Sequence, residues 1–288
     1  MCPNGYRLKS VAIQTPYWKP KDDYTKDIIL AIKNTVTNGD FVTVSEKALS
    51  TALGNIIDEK TLKPSRSARF IAKYWMRIVW PYILGPICHL RKKTIDYLRS
   101  YPPEEGSYHK QLALERGNLL EALAFGSEGG IDGSNLPYTY VCLPLDNAQE
   151  VASELREQIK KQLGKHVWVA IVDTDKTYSL WNFHFTPRPK PMKGIYSLGG
   201  VLAYIVGRFF KLKKRATPLA VAGPKITTEK AIEIAKIANR TRGSGAGKTV
   251  WDMANTFNVS LTEVKWEMLN KVKHLPVVII RRQTQMNQ

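Results

Sequence analysis

Val167-Trp168-Val169-Ala170-Ile171-Val172-Asp173-Thr174-Asp175 is an unbroken apolar run closed by two carboxylates and a hydroxyl. A run this short, without polar alternation, reads as a strand buried on both faces of a sheet. Open α/β sheets bind ligands at the carboxyl ends of such strands. Asp173 and Thr174 are therefore candidate holders of a phosphate-bound Mg²⁺ or Mn²⁺. An Asx turn closing the strand is the plainer alternative.

The neighbours fit an alternation of helices and strands. Asn147 and Glu150 have N-cap spacing, and Val151, Leu155, Ile159 and Leu163 form one helical stripe stopped by Gly164. Ser10–Gln14, Phe41–Val44, Tyr138–Leu143 and Pro276–Ile280 read as strands. Asp22 or Asp23 can cap a helix through Ile28, Ile29 and Ile32, and Ser65 one through Phe70, Trp75 and Met76. A further helix spans Thr227–Ala238, and Ser260 to Glu263 has the spacing of a capping box. Leu112–Leu114 and Leu119–Ala124 flank Arg116-Gly117-Asn118, which reads as a hairpin turn. The expected class is α+β, a mixed sheet with helices, in two subdomains with the site between them. Residues 1–175 would form the core carrying the motifs, and 176–288 a divergent basic part completing the site.

The chain has 288 residues, with 43 Lys and Arg against 25 Asp and Glu, a net charge of +18. That excludes an acidic solvating protein and points to an anionic partner. The three cysteines, Cys2, Cys88 and Cys142, suit neither a disulfide framework nor a zinc pattern, so a reducing cytoplasm is expected. Tyr74–Leu90 and Tyr196–Phe210 are the most apolar runs, and Arg77 and Arg208 interrupt them. Both are shorter than the roughly 20 residues of a membrane span. Both read as core helices, although the second could lie on a membrane surface. Lys176 to Thr228 holds ten Lys or Arg and no acidic residue. It is either a solvated basic face or a polyanion contact, so a nucleic-acid partner stays open. A helix-turn-helix over Met253–Val264 is disfavoured, because Glu263 and Glu267 would face phosphates.

Two glycine-rich segments also draw notice. Gly129-Gly130-Ile131-Asp132-Gly133-Ser134-Asn135 sets Asp132 and Asn135, hard oxygen ligands, in a loop where glycine permits close approach. Gly243-Ser244-Gly245-Ala246-Gly247-Lys248-Thr249 looks like a Walker A loop but is not one: Arg242 stands where glycine is required, and a helix rather than a strand precedes it. A cradle of backbone N–H groups, with Lys248 beside it, remains reasonable. The five histidines are scattered; His184 is the one that could approach Asp173.

Four segments in order resemble the coenzyme F-420-0: L-glutamate ligases, archaeal-type enzymes. Thr15-Pro16-Tyr17-Trp18-Lys19-Pro20-Lys21-Asp22-Asp23 looks like that family's L-P-L-I-K-x-G-D-D. Asn38-Gly39-Asp40 with Val44–Gly54 looks like its D-G-D and V-x-Q-K-V-V-S-K-A-E-G. Gly130–Asn135 is close to its G-I-D-x-S-N, and Val172-Asp173-Thr174 to its T-D-T. The resemblance implies a dimeric, metal- and GTP-dependent (or ATP-dependent) ligase that activates a carboxylate as an acyl phosphate for attack by an amine. It implies metal ligation by Asp132, Asp173 and Thr174. It implies nucleotide contacts from Thr15, Pro16, Tyr17, Trp18, Glu46, Lys47 and Asn135, with Thr51 in place of the family's second lysine. Gly243, Ser244, Gly245, Gly247 and Lys248 would stand near the phosphates, where the family's G-E-G-G-D loop has acids. The acceptor would be an anionic small molecule. The missing lysine and acids leave a second reading, an inactive nucleotide-binding relative.

Overall fold

The computed structural model describes residues 6–126 and 128–284. Its elements run β1 (Tyr6–Thr15), α1 (Tyr24–Ile32), β2 (Phe41–Ser45), α2 (Glu46–Ala52) and β3 (Ile56–Asp58). A helical block follows: α3 (Arg66–Phe70), a π-helical stretch Ile71–Leu84, α4 (Gly85–Ile87), α5 (Lys92–Arg99), α6 (Pro103–Arg116) and α7 (Leu119–Ala122). Then come β4 (Tyr140–Cys142), α8 (Ala148–Leu163), β5 (Trp168–Leu180), β6 (Phe183–Thr186), β7 (Tyr196–Ser197) and α9 (Gly200–Phe209). The chain closes with β8 (Lys213–Ala222), α10 (Thr228–Arg242), α11 (Val250–Phe257), α12 (Trp266–Leu269) and β9 (His274–Thr284).

The main sheet is mixed. β1 pairs antiparallel with β9, β9 antiparallel with β2, and β2 parallel with β5, Phe41 facing Trp168 and Ser45 facing Val172. Side chains alternate across it, which explains the apolar runs. Val42, Val44, Val169, Ile171, Val277 and Ile279 point to one face, under α1 and α8. Phe41, Ala170, Val172, Val278 and Ile280 point to the other, under Ile234, Ala235 and Ala238 of α10. Asp23 caps α1, and Gly164 ends α8 in the left-handed conformation.

β5 is longer than its apolar run and holds the sheet together. β8 lines one edge of it from Val169 to Ser179. On the other edge β2 stops at Val172, and β6 joins only at Tyr178. Residues 173–177 are left between the two partners, and a bulge there sets Asp173 opposite Thr217 but Lys176 opposite Ala216. Bulges of this kind re-aim side chains and gather beside active sites. Residue 175 thus lies inside this strand.

Several sequence readings are corrected. The hairpin expected around Gly117 is a joint between helices: Gly117 ends α6, and the Asn118 side chain accepts from Glu121 N to start α7. Ser260 and Glu263 start no helix; Glu263 accepts from Ser260 N within a turn, and α12 begins at Trp266. That short α12 leaves no second helix for helix-turn-helix binding. The two apolar runs are only half core. Met76, Trp80 and Cys88 are buried, but Tyr74, Ile78, Tyr82 and Ile83 are exposed. In the second run the helix starts at Gly200 and exposes Leu202 and Phe209. Among the described residues, no helix is long and apolar enough to cross a membrane.

The helical block is anchored by buried charge. The Lys110 ammonium, fully buried, donates to the Ala124 carbonyl at 2.8 Å and to Glu128 at 2.7 Å. His109 lies between Glu59, at 2.5 Å, and Glu128, at 3.6 Å. Burial alone would lower the His109 pKa, but the carboxylates of Glu59 and Glu128 push it up to about 10. Removing one member of such a pair leaves an uncompensated buried charge, so Lys110→Met should cost about 3–5 kcal/mol in a denaturant melt; an unchanged midpoint would contradict the anchoring role. Because the folded His109 pKa lies above its ordinary 6.5, its stabilisation is complete below that value and lost as pH rises through about 10. The thermal midpoint should fall across this window, and His109→Gln should flatten the fall. Parallel pH curves for the two proteins would refute the assignment.

Candidate functional site

The site forms where β2 and β6 part along β5. β2 runs straight into α2, so Glu46 and Lys47 emerge beside the unpaired stretch of β5. The glycine-rich loop arrives through an isolated bridge between Asp132 and Cys142 of β4. Asp132 accepts from Ser134 N at 2.7 Å and is ion-paired with the Lys47 ammonium, which also donates to the Ser134 hydroxyl at 2.6 Å. The Lys47 charge reaches Asp173 as well.

Behind these groups lies a guanidinium. Arg188 is buried; its Nη2 donates to Glu46 Oε1 at 2.7 Å, and its Nη1 stands 3.4 Å from Asp173 Oδ2. Burial raises the Glu46 pKa to about 7, against the pull of Arg188 and with Asp173 adding to the rise. Asp173 goes the other way: burial opposes it, but Arg188 and Lys47 hold it below its ordinary value. One guanidinium shared by two buried carboxylates drives their proton affinities apart. Asp173 Oδ2 and the Nε and Nη1 of Arg188 are buried and have no hydrogen-bond partner in the protein.

The second glycine loop is docked by one side chain. Asn135 Oδ1 accepts from Ala246 N at 2.7 Å, and its Nδ2 donates to the Gly247 carbonyl at 3.0 Å and the Ser244 carbonyl at 3.4 Å. A Cβ on Gly245 would lie 2.6 Å from Asn135 Oδ1, so this approach needs a bare backbone. The Tyr17 hydroxyl donates to the Asn135 carbonyl, and burial together with the Asp132 charge raises its pKa. Cations from the end of α10 and from β5 also approach the carboxylates. Arg242 is held below its ordinary pKa by burial, offset by Asp173, Asp132 and Glu46. Lys176 is lowered by burial, offset by Asp175 and Asp173 and reinforced by Arg242 and Lys248.

The expected site residues therefore fall into three groups. Asp132, Asp173, Lys47 and Tyr17 meet, with the 243–248 loop beside them. Glu46 and Asn135 lie there too, but as fasteners: Glu46 accepts from Leu145 N and Arg188, and the Asn135 amide is spent on the loop. Thr174 is exposed, its hydroxyl 3.5 Å from Asp173 Oδ1. The remaining residues turn elsewhere. Trp18 is a core residue donating to Asp27 at 3.0 Å. The Thr51 hydroxyl returns to the Lys47 carbonyl of its own helix. Thr15 and the Pro16 carbonyl face His274, 2.9 Å and 2.6 Å from its Nδ1. His184 meets Ser179 and Glu229 rather than Asp173.

Four residues were not singled out for this site from sequence. Arg188 and Lys176 were counted within a basic stretch, Arg242 only as a missing glycine, and His274 not at all. Burial, with Arg242 assisting, lowers His274 to about 4. The basic stretch itself is dispersed. Arg188 and Arg215 are buried on carboxylates, Arg208 donates to the Cys88 and His89 carbonyls, and Lys190 pairs with Asp146.

Among the described residues no group of three His, Cys, Asp or Glu could hold a metal ion. Mg²⁺, however, is usually held by one or two carboxylates with substrate phosphates completing its shell. Asp132 and Asp173, hard oxygens of which the buried Asp173 Oδ2 accepts no hydrogen bond from the protein, fit that donor set.

The chain matches the family described as F420-0:Gamma-glutamyl ligase over residues 12–250. It is also 36% identical over 286 residues to uncharacterized protein MJ1361 of Methanocaldococcus jannaschii, covering 95% of this chain and 96% of that protein. The chain belongs to the F420-0:gamma-glutamyl ligase family. Within it, Gly130 holds the site by its lack of a side chain: its φ is +93°, and a Cβ would lie 1.6 Å from Arg188 Nη1. Gly130→Ala should cost about 1–3 kcal/mol through backbone strain alone and should also displace Arg188. A variant with the parent's denaturant midpoint would refute this packing.

Proposed function

We propose that the cleft between Asp132, Asp173 and the 243–248 loop binds a nucleoside triphosphate, GTP or ATP, with Mg²⁺ or Mn²⁺, and uses it to join a carboxylate to an amine. The carrying observation is two hard carboxylates set among cations from three separate segments: Lys47 paired with Asp132, Lys176 in the field of Asp173, and Arg242 in the field of both. Carboxylates alone would repel phosphates, and cations alone would leave a divalent ion unheld. Their combination suits a metal-bound polyphosphate.

Asp132 and Asp173 would hold the ion, which when bound neutralises charge on the transferring phosphoryl group. The residues of the chain supply the rest. Lys47, Lys176, Arg242 and Lys248 take phosphate charge, and Lys248 occupies the loop where the family carries acids. Arg188 keeps Asp173 ionised and fixed, and Asn135 keeps the loop closed on the cleft. In the reaction a carboxylate oxygen bonds to the γ-phosphorus as the β–γ bridge breaks. The amine nitrogen then displaces phosphate from the acyl carbon and loses its proton. The family name points to glutamate as the amine donor. The acceptor would be an anionic small molecule, whose charge the basic surroundings suit. Buried free thiols at Cys88 and Cys142 are compatible with a cytoplasmic, reducing setting.

One observation favours a second reading, nucleotide binding without catalysis. Both carboxylates already carry a cation of the chain, Lys47 on Asp132 and Arg188 on Asp173.

Calorimetry of the full chain with GTP and ATP, each with and without Mn²⁺, tests the site. Binding should require metal and nucleotide together, and Asp132→Asn or Asp173→Asn should weaken it at least about tenfold, a loss of 1.4 kcal/mol. Isotherms unaltered in both variants would overturn the assignment. Binding without release of nucleoside diphosphate, whatever acid and amine are added, would favour the second reading.

A further inference from the structure

We propose that the tip of the β5–β6 hairpin and the end of α9 dock this protein on an anionic lipid surface. In this hairpin Tyr178 faces Phe185 and Leu180 faces Phe183. Alternate residues share a face, so all four form one apolar strip. α9 covers only its inner half. Ala203 and Val206 pack on Tyr178 and Phe185, and Gly207 lies so close that a Cβ would be 2.3 Å from the Tyr178 ring. The strip continues past the helix and ends in solvent. Trp181, at the turn, is 91% exposed. Phe183 is half exposed and stacks at 5.2 Å on the exposed Tyr196. At the end of α9, Phe209 and Phe210 are also exposed, with ring centroids 4.9 Å apart.

Charge identifies the occupant. The chain turns at Lys211 into β8, where Lys213 pairs with Ser179, so Lys211, Lys213 and Lys214 run alongside the tip. No acidic residue occurs between Lys176 and Thr228. Glu229, just past that stretch, is held by Arg215 at 2.8 Å and lies 3.7 Å from Lys213. Arg208, Lys176 and Arg91 add positive charge around Lys214. A second copy meeting this face across a two-fold axis would set these lysines against their own counterparts. A protein partner would need a matching acidic rim. An anionic headgroup layer meets the lysines directly, and Trp, Tyr and Phe rings settle at its boundary with the acyl chains. Since no described helix is long and apolar enough to span, the contact would be peripheral.

The test is cosedimentation of the full chain with phosphatidylcholine vesicles, with and without phosphatidylglycerol, at low and moderate salt. The protein should pellet with the phosphatidylglycerol vesicles only, and less as salt rises. Trp181→Ser combined with Phe210→Ser should lower the partition coefficient at least about tenfold. Lys211→Glu combined with Lys213→Glu should abolish the preference for phosphatidylglycerol. All these side chains are exposed, so the variants should keep the parent's thermal midpoint, and the readout is independent of the nucleotide site. Parent protein remaining in the supernatant at low salt would overturn the proposal, as would undiminished partition of the variants. So would a dimer that the Trp181/Phe210 variant converts to monomer without any vesicle binding, which would assign the face to a second copy.

Discussion

One buried guanidinium ties together parts of the chain that are far apart in sequence. Arg188 bonds Glu46 at the start of α2, stands against Asp173 in the bulge of β5, and fills the space left bare at Gly130. Each contact depends on the others. Two carboxylates this deeply buried could not both ionise without a cation, and Arg is the side chain that stays charged there. The cation in turn could not enter unless Gly130 left room. Electrostatics and packing therefore fix the same point, and the site inherits its geometry from that agreement.

The gap that admits Arg188 is a property of the sheet. β2 and β6 share one edge of β5 but do not meet, while β8 spans the opposite edge throughout. The continuous partner keeps the strand in place, and the discontinuous edge frees residues 173–177 from ladder pairing on that side. The candidate site thus lies where the sheet is locally incomplete. The same logic governs the 243–248 loop, which lies in no strand and is held by the amide of Asn135 together with the Thr256 hydroxyl on the Ala246 carbonyl.

Much of this fold is legible in sequence. Buried strands of a sheet covered on both faces are continuous apolar runs, and Val167–Val172 and Pro276–Ile280 announce themselves so, while Phe41–Val44 reads as a strand by alternation. Asp23 and Gly164 mark helix ends because capping chemistry is local. Other readings failed where tertiary context outweighed local pattern. Gly117-Asn118 has the composition of a hairpin turn, but a helix can end at glycine and begin at asparagine just as well. Nothing nearby tells these apart, and α6 hides further because it buries a lysine, Lys110, where an apolar residue is expected. Within the site, Asp132 and Asp173 are legible from their loops, and Lys47 from the family resemblance alone. Trp18 and Thr51 are not, because a motif does not say which of its members face inward. Arg188 is the hardest case: amid lysines it reads as surface charge, and only Glu46, 142 positions earlier, reveals otherwise.

The excess of basic residues also changes meaning once placed. As composition it suggests one polyanion-binding face. In the fold it divides into populations with different energetics. Arg188 neutralises the buried carboxylates of Glu46 and Asp173 and holds the interior, while Arg215, itself buried, pairs with the exposed Glu229. Lys47, Lys176 and Arg242 lie within the field of Asp132 or Asp173. Lys211, Lys213 and Lys214 edge an exposed aromatic strip, where their charge acts on whatever approaches. Buried and partly buried pairs are little screened by salt, whereas exposed lysines are screened within a Debye length of about 8–10 Å. Ionic strength should therefore separate the three populations: the interior pairs persist, the site weakens modestly, and the rim loses its attraction first. A net charge is thus no single interaction, and its consequence depends on which of these residues a partner reaches.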